Sequence, residues 1–115
     1  MRKNSLKTAF LENTPIVNGW LAIPSGYSAE IMGHQGYDAV TVDLQHGMID
    51  FASALSMLQA LSATPAVPLV RVADNDPAQI MRVLDAGAYG VICPMISSAE
   101  QARRFVAACR YPPLG

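Results

Sequence analysis

The feature that most constrains this chain is an alternation of apolar runs and helical patterns. Strand-like runs recur every roughly 22 to 27 residues, each followed by a segment of helical periodicity, which is the size of one βα unit. Four such units fit within 115 residues. The first strand signal covers 17–23, and a short helix over about 28–34 follows Pro24-Ser25-Gly26, with Gly36 as its C-terminal cap. The second strand covers 39–44. Its helix starts after Asp50, a good N-cap, and carries an apolar stripe of Phe51, Leu55, Leu58 and Leu61 before Pro65 ends it. The third strand, 67–72, leads to Asp76 as a cap and Pro77 at the first helical position, with Ile80, Val83 and Leu84 facing inward. A fourth strand at 90–95 precedes a helix opened by a Ser97/Glu100 capping box, with Ala99, Ala102, Phe105, Val106 and Cys109 on its apolar side. The tail from Arg110 to Gly115 reads as an opening loop.

Residues 35–40 and 86–91 echo each other ahead of the second and fourth strands, which fits a repeated βα plan. Four units suit either a small doubly wound sheet or the first half of a (β/α)₈ barrel, for which about 250 residues are typical. An open sheet would expose an edge as apolar as Ala66-Val67-Pro68-Leu69-Val70, a liability that closure removes. The expectation is therefore an α/β fold, the first four βα units of a TIM barrel, with 1–115 a single partial domain.

Composition narrows the function classes. A hydrophobic content of 51% with 15% charged residues argues for a packed core rather than disorder. Net charge is −1 and aromatics make up 7%, so there is no basic stripe or stacking platform for nucleic acid. No run of about 18 apolar residues could cross a membrane. The basic start, residues 1–7, meets Glu12, Asn13 and Pro15 before any signal-peptide core could form. Cys93 and Cys109 read as reduced thiols of a cytoplasmic protein, and Met57, Met81 and Met95 as fillers of apolar faces.

The second strand breaks into Asp43-Leu44-Gln45-His46-Gly47, and residues at the carboxyl ends of buried parallel strands line ligand crevices. His46 is thus either a base delivered to a site or a turn histidine held by a backbone carbonyl. Asp43 either orients His46 or binds metal-held water, or it satisfies loop amides. Arg71, at the next strand end, offers a planar fork for a carboxylate, or else pairs with Asp74 or Asp76. Trp20 is either a pocket wall or core. His34, at a helix end, carries no assigned chemistry.

Several segments together resemble the HpcH/HpaI aldolase/citrate lyase family, the metal-dependent class II pyruvate-type aldolases. They are Gly19-Trp20, Ala29-Glu30, Gly36-Tyr37-Asp38, Val42-Asp43-Leu44-Gln45-His46-Gly47, Pro68-Leu69-Val70-Arg71-Val72, Asp76-Pro77, 83–88, 90–95 and Arg110-Tyr111-Pro112-Pro113. The resemblance covers nearly the whole chain and matches the N-terminal portion of the family's barrel. It implies a carbon–carbon lyase that forms or cleaves 4-hydroxy-2-oxo acids to give pyruvate and an aldehyde. In that frame His46 is the proton acceptor, Arg71 stabilises the enolate, and Asp85 raises the basicity of His46. General chemistry agrees for the first two: imidazole titrates near neutrality, and a guanidinium supplies fixed positive charge to an oxyanion. Asp85 ends the third helix, on the face opposite the strand C-termini, so it is expected to reach a histidine across the subunit interface of a homo-oligomer.

The resemblance also implies a divalent cation, Mg²⁺, Mn²⁺ or Co²⁺, held by a Glu and an Asp on later strands beyond Gly115. No cluster of oxygen ligands occurs within this chain, so the chain alone is expected to be inactive. Gln45, Gly47, Met48 and Ile49 depart from the Glu and Ala-Pro that flank the histidine in sugar-acid members, which leaves the aldehyde partner open. The alternatives are a stand-alone α/β binding or assembly module and, more weakly, a CoA-thioester lyase whose basic contacts are not concentrated here.

Overall fold

The computed structural model of the chain describes residues 3–115, so the reading of Met1 and Arg2 lies outside it. The elements are α1 (Ser5–Leu11), β1 (Asn18–Leu21), α2 (Gly26–Gly33), β2 (Ala39–Asp43), α3 (Phe51–Ser62), β3 (Val67–Arg71), α4 (Pro77–Asp85), β4 (Gly90–Ile92) and α5 (Ala99–Ala108). All adjacent strands pair in parallel, in the order β1-β2-β3-β4. This order decides between the two architectures. A doubly wound sheet reverses its strand order to place helices on both faces, whereas a barrel adds strands sequentially and keeps its crossover helices outside. The chain is an α/β unit of four consecutive strands, wound as a barrel is wound.

The two faces of the sheet bury different partners. Val40, Val42, Val70 and Val72 pack with Met57, Leu58, Leu61, Ile80 and Val83 of the crossover helices in the main core. On the other face Ala39 and Val67 meet Leu6 of α1, with Ile16, Leu69 and Tyr89 around them. Asn4 anchors that end through its Nδ2, which donates to the Tyr89 carbonyl at 3.0 Å. The sequence reading gave no helix for α1, because a seven-residue segment with one buried side chain carries too little periodicity to be seen.

Helix starts follow their local chemistry. Asp50 Oδ1 accepts from Ser53 N at 2.7 Å, and Asp76 Oδ1 from Ala78 N at 3.1 Å with Pro77 in the first turn. Gly36 and Gly87 take φ of +88° and +109°, the left-handed turns that end α2 and α4. The capping box of α5 is displaced by one residue from its expected place: Ser98 and Gln101 form it, because Ser98 holds the extended N-cap backbone. The fourth strand stops at Ile92 rather than Met95, where φ turns positive at +55°. Met57 fills the core as expected, but Met81 and Met95 are exposed, since neither lies on a face that another element covers.

β3, the apolar strand whose exposure argued for closure, lies inside the sheet between β2 and β4. The edges are β1 and β4. The latter is only half-buried throughout, and α5 has no buried residue although Phe105 and Ala108 touch the main core. No described helix is long and apolar enough to cross a membrane.

Candidate active site

The centre of the site is a carboxylate. Asp43 and Arg71 are register partners at the carboxyl ends of β2 and β3, so their side chains leave the same face of the sheet side by side. Arg71 Nε donates to Asp43 Oδ1 at 2.9 Å and Nη2 to Oδ2 at 2.6 Å, the two-pronged geometry that fits guanidinium to carboxylate. Oδ1 also accepts from Gln45 N at 3.0 Å and His46 N at 3.2 Å. Asp43 is 5% exposed, and burial alone would favour its protonated form. The Arg71 hydrogen bond outweighs that and, with the two backbone amides, holds the carboxyl below its ordinary value. The same bond raises the Arg71 guanidinium further above the physiological range.

Trp20 completes the group from β1, where it pairs with Thr41 one strand away on the same face. The Arg71 guanidinium carbon lies 4.6 Å from the centroid of the Trp20 ring, a cation–π stack that restrains the guanidinium. Two neighbours thus fix Arg71, one by charge and one by its ring.

His46 occupies the turn after β2, exposed, with its backbone tied to Asp43 and its imidazole making no hydrogen bond to another described residue. Gly47 shapes that turn, because a Cβ there would fall on the Asp43 carbonyl oxygen and 3.2 Å from Ala22 Cα, both backbone atoms that cannot yield. A ring placed this way is accessible to a substrate above the strand ends.

Asp43, Arg71, Trp20 and the His46 backbone are brought together as one constellation. Arg71 pairs with neither Asp74 nor Asp76: Asp74 accepts from Asn75 N at 2.7 Å, and Asp76 caps α4. Asp43 satisfies loop amides and binds arginine at once, a pairing the sequence reading missed. The signal was available in the shared position of two residues of opposite charge, each closing an adjacent parallel strand. Asp85 stands apart at the end of α4, exposed, where it accepts a hydrogen bond from the Tyr111 hydroxyl. That carboxylate raises the Tyr111 phenol above its ordinary value.

The residues present do not fit a divalent cation. Among the described residues no three His, Cys, Asp or Glu side chains converge, and both Asp43 oxygens are already engaged by Arg71.

The sequence model of the HpcH/HpaI aldolase/citrate lyase family matches residues 18–115. The chain belongs to that family. It is 42% identical over 112 residues to a hydroxypyruvate/pyruvate aldolase from Rhizorhabdus wittichii, covering 97% of this chain and 45% of the relative. A 4-hydroxy-2-oxo-heptane-1,7-dioate aldolase from Salmonella dublin is 40% identical over 113 residues, covering 98% of this chain and 43% of the relative. Among solved structures, a family protein from Burkholderia cenocepacia superposes with a TM-score of 0.90 at 34% identity, covering 98% of this chain and 47% of that one. The citrate synthase SbnG superposes with a TM-score of 0.86 at 33% identity, covering 98% and 46%. The chain therefore spans about half the length of these relatives, an N-terminal portion of them. Aldolases and a citrate synthase share this half of the fold, so the reaction has to be argued from the site. The matches do not favour the reading of a stand-alone binding module.

Proposed function

We propose that this chain supplies the N-terminal half of the active site of a pyruvate-type aldolase, a carbon–carbon lyase acting on 4-hydroxy-2-oxo acids. The observation that carries the reading is the Arg71 guanidinium, fixed by Asp43 and Trp20 at a strand end beside an accessible His46. In the cleavage direction His46 takes the proton of the C4 hydroxyl, the C3–C4 bond breaks, and the products are an aldehyde and the enolate of pyruvate. Negative charge then develops on the enolate oxygen, and Arg71 opposes it with donors that need no reorganisation. Asp43 positions both groups, the arginine by its fork and the histidine by its backbone. Trp20 walls the pocket on the β1 side.

Asp85 takes part through a second subunit in the same proposal. Its position at a helix end, solvent-exposed, leaves it accessible to the His46 of a neighbour in a homo-oligomer, where it would raise that imidazole's basicity. The divalent cation belongs to residues outside these 115, and the chain by itself is inactive. A reducing, cytoplasmic setting is supported by the free thiols of Cys93 and Cys109.

Mixing the chain with the complementary C-terminal portion of the Rhizorhabdus relative, in Mn²⁺, tests the reading by coupled detection of pyruvate from a 4-hydroxy-2-oxo acid. Pyruvate release is expected from the mixture, from neither half alone, and not with His46→Ala. Equal release with His46→Ala, or none from any such mixture whose halves associate, would overturn it.

A further inference from the structure

We infer that Arg82 is a positioning residue for His46: stacked on Phe51 across the seam between α3 and α4, it holds the loop that carries the base. This deepens the aldolase reading, on which the role of His46 rests. The elements involved are the two central units, β2 with α3 and β3 with α4.

Packing along that seam is loose. α3 lies so close to α2 that a Cβ at Gly33 would overlap the Thr64 side chain, whereas the backbones of α3 and α4 stand further apart. At the catalytic end the gap opens into a cavity of about 270 Å³. Leu44, Ile49 and Phe51 line it on one side, and Asp76, Gln79 and Arg82 on the other. The first three bracket the turn that holds His46. Leu44 and Ile49 are the apolar anchors at its two ends, and each turns one side to the void, while Met48 between them is 85% exposed. An anchor that faces empty space makes fewer of the contacts that oppose local opening. The bonds of Gln45 N and His46 N to Asp43, at 3.0 and 3.2 Å, tie the start of the turn but not its exit into α3.

The Arg82–Phe51 stack spans the gap at that exit. The guanidinium carbon lies 3.8 Å from the centroid of the Phe51 ring, on the residue that opens α3 straight after the loop. The helix that carries Arg82 is itself well fixed: Asp76 caps α4 with Pro77 in its first turn, and Gln79 Oε1 accepts from Ala73 N at 2.8 Å. Gln79 and Arg82, three residues apart, share the face toward the cavity. Movement of the His46 loop away from the strand ends carries Phe51 with it and breaks the stack. Arg82 also lies in the last turn of α4, where its charge suits the helix dipole. That effect needs no ring at position 51, so experiment can separate the two roles.

Amide hydrogen exchange on the chain tests the inference at Gln45 and His46, with Ser28, whose amide donates to the Ser25 hydroxyl at the start of α2, as the reference. Arg82→Gln and Phe51→Leu should each speed the two loop amides about two- to fivefold, the factor that a cation–π contact near the surface supplies, and leave Ser28 unchanged. The double variant should be no faster than either single one, and Arg82→Lys, which keeps a cation over the ring, should restore most of the protection. Should Phe51→Leu unfold, Arg82→Gln against Arg82→Lys decides alone. In mixed halves that release pyruvate, Arg82→Gln should lower kcat by the same factor at unchanged KM. Parent-like loop exchange, equal acceleration at Ser28, additive variants, a lysine no better than glutamine, or a parent-like kcat would each overturn it. Absence of pyruvate from the parent mixture would fall on the aldolase reading instead, and loop exchange still decides whether Arg82 holds the turn.

Discussion

Replacing Asp43 with Asn tests whether one buried carboxylate organises the site. The isosteric change keeps volume but leaves one acceptor oxygen where two oxygens now accept from Arg71 at 2.9 and 2.6 Å and from two backbone amides at 3.0 and 3.2 Å. It also aims an NH₂ donor at donors. Hydrogen bonds to a charged group contribute about 1.5–3 kcal/mol each, and unpairing a buried ion pair costs about 3–5 kcal/mol. Arg71 keeps 23% of its side-chain surface in water and can rehydrate, so the loss belongs at the lower end, about 3 kcal/mol. For a domain of this size that is a fall in Tm of about 10–15 °C, readable by calorimetry at pH 7. The pH dependence sharpens the test. Because folding holds the Asp43 carboxyl below its ordinary value of 3.8, its stabilisation is complete above that value and is lost as pH falls through the lower folded-state value. Stability of the unaltered chain should therefore fall more steeply than that of Asp43→Asn below about pH 4. A Tm within about 3 °C of the parent at pH 7, or parallel acid limbs for both proteins, would refute the reasoning.

Gly33→Ala should destabilise by about 1–3 kcal/mol in urea unfolding, because its Cβ would overlap the side chain of Thr64, buried where α2 meets α3 and held by its own bond to the Leu61 carbonyl at 2.9 Å. Arg71→Lys keeps the charge but loses the fork and the stacked plane, so the emission of Trp20, the one tryptophan, should shift toward that of Arg71→Met rather than match the parent. In the mixed-half assay the same substitution should cut kcat by about 10²-fold or more, and parent-like kcat would show that charge alone suffices.

The fold was legible wherever two levels of the sequence agreed. Asp50 and Asp76-Pro77 set both local caps and both helices start where expected, but of the stripe expected on α3 only Leu58 and Leu61 are buried, with Ala54 and Met57 taking the place of the exposed Leu55. Periodicity alone left the strand order open, since it reports which residues are buried and not which strand is next door; the edge-strand argument and the family resemblance chose the barrel, and the order β1-β2-β3-β4 agrees with it. β4 and α5 misled for a related reason: their apolar content was written for neighbours outside these 115 residues, so burial tracks composition poorly there. At the site, Asp43, Arg71, His46 and Trp20 were each found as strand-end or strand residues. The Asp43–Arg71 pairing had a signal in two opposite charges closing adjacent strands, whereas the stacking of Trp20 on Arg71, two strands away, depends on register and not on sequence distance.

Register also decides how Asp85 can act. Asp43, Arg71 and His46 lie at or just past the carboxyl ends of β2 and β3, whereas Asp85 ends the helix that returns the chain to the amino end of β4. Between these two levels stands β3, five residues long, or about 16 Å at the rise of a parallel strand. A carboxylate perturbs an imidazole strongly only within about 4–6 Å. Within one chain the two groups are separated by the length of the strand, so any influence of Asp85 on a histidine has to pass between chains. Asp85→Asn in an isolated chain should then leave the nuclear magnetic resonance signals of the His46 ring at pH 7 where the parent has them, and a displaced ring signal would refute the separation.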